Sequence, residues 1–516
     1  MADHERNTMQ RQSTLAALLA AGDAGHAALG APGGKPLTYA GLRAHVERTV
    51  GRLNALGIGR NDRVAIVLPN GPEMASAFVA VAAGTAACPL NPAYRADEFE
   101  FYLSDLKARA LLVERGSQTP AIEVARRLGV RVLELASTDE GSGAFTLMPT
   151  DGAASAAAAS GGYAQAGDVA LILHTSGTTS RPKIVPLTQA NVCASAYNIV
   201  ETLKLVPGDR ELSIMPLFHI HGLIAGLLAP LAAGSTIVCS PGFNALKFFA
   251  WMAECTPTWY TAVPTMHQTI LARAPQNREI IAANPLRFLR SSSSSIPPQV
   301  IAELEATFDA PLIEAYGMTE ASHQMASNPL PPAARKPGTV GRAAGPEVAI
   351  MDDAGNLLPA GSTGEIVIRG PNVTAGYENN AKANAEAFTH GWFRTGDQGV
   401  MDADGYLSIT GRLKEIINRG GEKISPREVD EVLMDHPAVA QVVTFAIPHE
   451  KLGEDIGAVV VLREGRAATE RELRDFVGRR LADYKVPRRI LFVDEIPKGA
   501  TGKLQRIGLA AKLGLA

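Results

Sequence analysis

Apolar runs that read as strands alternate with Ala-rich helical stretches over roughly the first 400 of 516 residues. Arg63–Leu68 precedes Glu73–Ala83, and Ala110–Val113 precedes Pro120–Leu128. That alternation restricts the chain to βαβ units, with parallel sheet covered by helices. So long a chain exceeds one hydrophobic core, and several subdomains are expected. From about Ala343 the texture changes to short strands and Gly turns: Glu347–Met351, Asp353–Gly355, Gly364–Arg369 and Tyr406–Thr410. The last hundred or so residues add strands at Val442–Ala446 and Ile456–Leu462, with helices at Pro426–Met434 and Glu470–Leu481. Residues 137–167, rich in Ser, Thr, Gly and Ala, read as an irregular surface connection. The expected fold class is α/β: a large N-terminal domain of βα subdomains plus a β-rich subdomain, then a small α/β C-terminal domain.

Composition narrows the function. A net charge of -3 offers no bulk attraction to nucleic acid or anionic lipid, so neither is expected as a partner. Cys88, Cys193, Cys239 and Cys255 form no C-x-x-C pair, which argues for a reducing compartment and against structural zinc. The opening Met-Ala-Asp-His-Glu-Arg has no apolar signal region, and the closing Lys-Leu-Gly-Leu-Ala is not a peroxisomal address. A cytoplasmic protein is expected. Gly222–Ser240 is uncharged, but Gly226, Pro230 and Gly234 interrupt it, so a buried helix–turn–strand is expected rather than membrane insertion.

Chemistry accumulates in five places. His174-Thr-Ser-Gly-Thr-Thr-Ser-Arg-Pro-Lys183 crowds five hydroxyls around Gly177 and ends on two cations, directly after the strand-like Val169–Leu173. A strand opening into such a loop can aim N–H groups, hydroxyls and an ammonium at a polyphosphate, although the Walker spacing is absent. Alone, it reads rather as a polar surface turn. Glu314-Ala-Tyr-Gly-Met-Thr-Glu320 supplies a ring, a hydroxyl and a carboxylate suited to a purine, a phosphate and Mg2+. In Trp392-Phe-Arg-Thr-Gly-Asp397 an Asp on a Gly turn can accept from both ribose hydroxyls. Gly411-Arg412-Leu-Lys414-Glu leads to Gly420-Gly421, and Pro497-Lys-Gly-Ala-Thr-Gly-Lys503 lies near the end. Singly, each of these also reads as a strand-end turn or a solvated charge.

In this order the clusters resemble the adenylate-forming superfamily of acyl-CoA synthetases, luciferases and peptide-synthetase adenylation domains, over nearly the whole chain. The resemblance implies an N-terminal adenylation domain at 1–410, a hinge at 411–414 and a mobile C-terminal domain at 415–516. It implies a small carboxylic acid, ATP and coenzyme A as substrates, with Mg2+ as the metal. Thr175, Ser176, Gly177, Thr178, Thr179 and Lys183 then form the loop gripping the β and γ phosphates. Tyr316 packs on adenine, Thr319 contacts the α-phosphate, Glu320 holds Mg2+, and Asp397 and Arg412 bind the ribose. Lys414 is the hinge residue, Lys503 the mobile catalytic lysine, and Gly420 and Gly421 line the pantetheine tunnel. Similar bacterial synthetases imply a lysine acetyltransferase acting on Lys503, and a monomer or homodimer.

Physical logic agrees with these roles. A carboxylate attacking the α-phosphate joins two anions, so cations and oriented donors in a water-poor site lower the barrier. Thiol attack then needs the same space, which one small domain can serve only by moving. One departure stands out. Ile184 occupies the place where loops of this type continue with Gly, and a β-branched residue there would be strained at positive φ. Negative φ and a strand running from Ile184 into Val185 are therefore expected.

Three segments implied to form the acyl pocket are polar. They are Pro216-Leu-Phe-His219-Ile-His221, the run Arg290-Ser-Ser-Ser-Ser-Ser295, and Thr319-Glu-Ala-Ser-His323. By resemblance His219 gates the carboxylate. A fatty tail needs apolar walls, whereas imidazoles and hydroxyls suit a second carboxylate. His221, His323 and Ser292, Ser293 and Ser294 are the substrate-binding candidates, with Ser291 and Ser295 expected to bond backbone. His221 and His323 also read as structural histidines behind the pocket. These segments look most like the oxalate–CoA ligase branch, which implies an AMP-forming ligase producing oxalyl-CoA. Alternatives are another small dicarboxylate, a medium-chain fatty acid or an aryl acid, or a catalytically silent nucleotide-binding relative.

Overall fold

A computed structural model describes residues 11–150, 157–175, 182–497 and 505–515. The chain divides into two compact units. The first comprises 1–175, 184–347 and 369–385; the second comprises 176–183, 348–368 and 386–516. The β-rich stretch expected within the N-terminal domain thus falls in the same unit as the C-terminal residues.

The first unit is built on two sheets. A seven-stranded sheet runs in the order 145–149, 131–137, 110–114, 63–67, 86–89, 169–174, 184–188. Its central strands are parallel and buried, and the helix Pro72–Ala82 is buried along nearly its whole length. Strands enclosed on both sides need the continuous apolar runs seen in the sequence. The nine-stranded sheet runs in the order 342–343, 323–327, 312–318, 288–291, 259–262, 210–213, 236–239, 27–30, 37–38. Helix Gln189–Leu203 starts at Thr188, whose hydroxyl accepts from Asn191 N while Asn191 Oδ1 accepts from Thr188 N.

The second unit holds two five-stranded sheets. In its last hundred residues the long hairpin Val439–His449 with Gly453–Leu462 alternates sides. Val442, Ile456 and Val460 pack with Val429 and Leu433 of helix Pro426–Met434 and Leu473 and Val477 of helix Glu470–Gly478. Phe445, Ile447 and Val459 pack instead with Ile496 and Leu509. Period-two alternation therefore gives one strand pair two cores.

One expectation needs correction. The stretch 137–167 includes a strand, Phe145–Pro149, antiparallel to Arg131–Ser137. Phe145 and Leu147 are buried while Thr146 and Met148 are exposed, an alternation hidden by the small polar residues around it. The uncharged stretch from Gly222 is buried as expected, but begins as a π-helix, His221–Leu228, before a short α-helix and the strand Thr236–Cys239. Among the described residues no helix is long and apolar enough to cross a membrane. All four cysteines are free.

Ile184 begins the strand Ile184–Thr188, pairs with His174 and joins the apolar core under the seven-stranded sheet. Its φ is not positive, so the branched side chain is unstrained and its carbonyl accepts from Glu378 N at 3.1 Å. Ile184→Ala should therefore destabilise by about 2–5 kcal/mol, as a buried truncation does, and Ile184→Gly should not speed adenylation. A denaturation midpoint and a pyrophosphate-exchange rate check the two halves.

Two buried histidines predict acid sensitivity. Among the described residues neither ring nitrogen of His45 has a hydrogen-bond partner, and the ring packs edge-on against Phe145 at 4.3 Å. His267 accepts from the Tyr260 hydroxyl and donates to the Arg290 carbonyl. Burial lowers both pKa values from 6.5 to about 4. Between those values the unfolded chain binds protons that the folded one does not, so stability should fall as pH drops through that window. Urea midpoints at about pH 7 and about pH 5 should show the loss, and His45→Leu should reduce it without lowering the neutral-pH midpoint.

Candidate functional site

Strand Leu312–Met318, the 3-10 turn Thr319–Ala321 and strand His323–Ser327 form one tight reversal in the first unit. A Cβ on Gly317 would lie 1.7 Å from the His323 carbonyl oxygen, so only glycine permits the pairing. Ser322 and His323 take left-handed backbone at φ 49° and 93°, a strained choice for non-glycine residues. The segment Asn372–Tyr377 braces it. Asn372 Nδ2 donates to Ala321 and Gln324 carbonyls, and Thr374 N donates to the Glu320 carbonyl at 2.7 Å. The Tyr377 hydroxyl donates to Glu320 Oε1 at 2.8 Å, and burial together with that carboxylate's charge pushes the phenol pKa up. Tyr316 and Glu320 are buried, and Thr319 is half-buried beside them.

The pocket histidines come together from distant segments. His221 opens the π-helix, and its ring stacks on that of His323 with centroids 4.8 Å apart. His221 Nδ1 lies 3.0 Å from Ser293 Oγ, and Nε2 lies 2.6 Å from Thr261 Oγ1. Arg290, fully buried, reaches His221 Nε2, His323 Nε2, Thr261 Oγ1 and Gln324 Oε1. His219 is half-buried in the turn before the π-helix, its ring against Phe218.

The serine run divides. Ser292 is buried and its hydroxyl donates to the Ala315 carbonyl at 2.9 Å, a backbone bond of the kind expected for Ser291 and Ser295. Ser291 closes strand Phe288–Ser291, and its buried hydroxyl has no partner among the described residues, contrary to the expected backbone bond. Ser293 is half-buried at φ 72°, and Ser294 is exposed.

Of the phosphate-loop candidates, Thr175 follows strand Val169–His174 and Lys183 precedes strand Ile184–Thr188. His174 is seated by Asp105 at 3.0 Å and by the edge of Tyr102. Ser176, Gly177, Thr178, Thr179 and Lys503 lie outside the described residues.

In the second unit Asp397 sits inside the strand Trp392–Met401 rather than on a free Gly turn. It pairs across the sheet with Arg412, whose Nε donates to Asp397 Oδ1 at 3.0 Å. Glu365 fixes the approach, accepting from Gly396 N and from Arg394. Lys414 lies in the 3-10 turn Leu413–Glu415. Chain on either side of that turn is joined: Ser425 Oγ donates to the Thr410 carbonyl, and Arg427 donates to the Ile409 carbonyl at 2.8 Å. Gly420 and Gly421, at φ 61° and 102°, form the turn between strands Ile417–Arg419 and Glu422–Ile424. Positive φ at both centres is the hairpin geometry that glycine pairs supply. Arg506 is bound by Glu415 and Asp430.

Arg290, Tyr377, Asn372 and Glu365 are absent from the sequence-based candidates. For Arg290 a signal existed: a charged residue inside the apolar strand Phe288–Ser291. The others reach their partners only through the fold.

Similarity to known proteins fits this geometry. The chain is 47% identical over 484 residues to an oxalate–CoA ligase of Arabidopsis thaliana, covering 93% of this chain and 94% of that one. It is 44% identical to an oxalate–CoA ligase of Saccharomyces cerevisiae, covering 87% and 86%. ATP-bound MatB from Rhodopseudomonas palustris superposes with a TM-score of 0.86 at 29% identity, over 97% of this chain and 98% of that one. Residues 18–378 match the model of AMP-binding enzymes, and residues 428–503 match that of the AMP-binding enzyme C-terminal domain. The chain is therefore a member of the AMP-binding, adenylate-forming enzyme family, with its α/β fold.

Proposed function

We propose that this protein is an ATP-dependent oxalate–CoA ligase, converting oxalate, ATP and CoA to oxalyl-CoA, AMP and pyrophosphate. The observation that carries the reading is the polar cluster of His221, His323 and Ser293, backed by the buried cation of Arg290. Apolar acyl chains gain nothing from such a wall, because each donor left unpaired on burial costs about 1–3 kcal/mol. A second carboxylate can accept from those donors. The oxalate–CoA ligases at 47% and 44% identity support the same choice.

In the first half-reaction an oxalate oxygen attacks the α-phosphorus, and the bond to pyrophosphate breaks. Thr175, Lys183 and the intervening loop hold the β and γ phosphates, Thr319 the α-phosphate, and Tyr316 the adenine. Asp397 accepts from the ribose hydroxyls, with Arg412 holding its carboxylate in place. Glu320, oriented by the Tyr377 hydroxyl, offers a hard oxygen of the kind that would hold Mg2+. Mg2+, when bound, offsets charge on the departing pyrophosphate. Lys503 supplies positive charge between the carboxylate and phosphate. In the second half-reaction the CoA thiol adds to the acyl carbonyl and AMP leaves, with the pantetheine arm beside Gly420 and Gly421. Residues 411–414 are the hinge between the two poses, and acetylation of Lys503 would silence the first.

Assaying AMP release with and without CoA across a panel of acids tests the substrate. Oxalate should lead malonate, medium-chain and aryl acids by at least about tenfold in kcat/KM. A different acid in front would replace oxalate, and no AMP with any acid would favour a silent relative. Lys503→Ala should abolish adenylate formation yet still turn supplied oxalyl-adenylate into thioester; equal loss of both halves would contradict the two poses.

Tyr377→Phe removes the donor that orients Glu320. It should raise the Mg2+ concentration needed for half-maximal adenylation by about tenfold, the loss expected for a hydrogen bond to a charged group. A Mg2+ titration of pyrophosphate exchange measures it.

A further inference from the structure

Arg290 holds a charge that its neighbours do not neutralise. Its side chain is fully buried on strand Phe288–Ser291, in register with Thr261. Burial lowers its pKa to about 9, which still leaves it cationic at neutral pH. Among the described residues its side-chain partners are two imidazoles, a threonine and a glutamine, and none is a carboxylate. Glu211 shares this face of the sheet through its register with Trp259, but burial raises its pKa well above 4.5 and neither oxygen has a partner among the described residues. Glu314 lies on the other face, in register with Ser291. Glu201 pairs with Arg11, and Glu320 holds the Tyr377 hydroxyl.

The hydrogen bonds around this cation run in one direction. A guanidinium only donates, so Arg290 at 3.3 Å from His221 Nε2 and 3.1 Å from His323 Nε2 requires a lone pair on both nitrogens. Each neutral ring therefore carries its proton on Nδ1. His221 Nδ1–H donates to Ser293 Oγ at 3.0 Å, which leaves the Ser293 hydroxyl proton to be donated onward. Thr261 Oγ1 accepts from Arg290 and lies 2.6 Å from His221 Nε2, so its hydroxyl and the guanidinium share the single lone pair of that nitrogen in a three-centre bond. Each bond polarises the next in the same sense.

We propose that Arg290 is a positioning residue for acid specificity: it fixes both imidazoles as Nδ1–H tautomers and directs a donor chain, Arg290 to His221 to Ser293, at the second carboxylate of the substrate. The inference rests on the reading of this pocket as the acid site. The anion missing from around Arg290 then arrives with the substrate, and a neutral substrate end leaves the cation uncompensated.

Oxamate, which replaces one carboxylate of oxalate by an amide, is the discriminating probe. In pyrophosphate exchange Arg290→Met should shrink the preference for oxalate over oxamate by at least about tenfold, with the KM for ATP unchanged. Arg290→Lys, which keeps the charge, should recover part of that preference. Equal loss with both acids, or an unchanged ratio, would overturn the proposal. Nitrogen-15 imidazole spectra of the unaltered enzyme, assigned with His221→Gln and His323→Gln, give a test independent of whether Arg290 variants fold. Both rings neutral and protonated at Nδ1 support the chain of donors; Nε2–H or imidazolium at either ring rejects it. Because those spectra need no substrate, failure of oxalate as substrate and failure of the Arg290 role are separable.

Discussion

The close approach of Gly317 to the His323 carbonyl is the constraint on which the first unit's site depends. With no side chain at 317, the strands on either side of Thr319–Ala321 pair within a few residues of the turn. That compactness sets the Glu320 carboxylate against Tyr377 while delivering the His323 ring to His221 and Arg290. A wider turn would separate the carboxylate end of the reversal from the imidazole end. The left-handed backbone at Ser322 and His323 is the local cost, and bonds from Asn372 and Thr374 hold it.

Much of the fold was legible because the signals were local. Continuous apolar runs identified the parallel strands, and alternation identified the long C-terminal hairpin, since each pattern follows from which faces are covered. The same holds for Ile184, where β-branching opposes positive φ and the structure shows a strand. The strand Phe145–Pro149 was missed because its two inward residues stand among Ser, Gly and Ala. Asp397 was misplaced for another reason: Thr-Gly-Asp reads as a turn, yet Glu365 from a neighbouring strand holds Gly396 within a long strand.

Site residues divide in the same way. Contiguous motifs made Glu320, Asp397 and His323 candidates, because neighbouring residues carry complementary chemistry. Partners that act across the fold left little trace. Tyr377 is 57 residues from Glu320, and Ser293 is 72 from His221. Arg290 was visible as a residue but not as a participant. Only the parallel register of strands Trp259–Ala262 and Phe288–Ser291 shows that its side chain shares a face with Thr261, beneath both imidazoles. The serine run shows the limit of composition: adjacent hydroxyls meet a backbone carbonyl at 292 and an imidazole at 293.

The bonds from Ser425 and Arg427 to the carbonyls of Thr410 and Ile409 bear on the swivel proposed at Lys414. They bridge the stretch around Lys414, so any swivel there has to part them. Hydrogen bonds of this kind contribute only about 0.5–3 kcal/mol each. In the proposed swivel a latch that weak would open on thermal energy and reclose, and binding of one reactant or release of another would tip which position is occupied. The fastening is strong enough to define a resting arrangement and too weak to trap it.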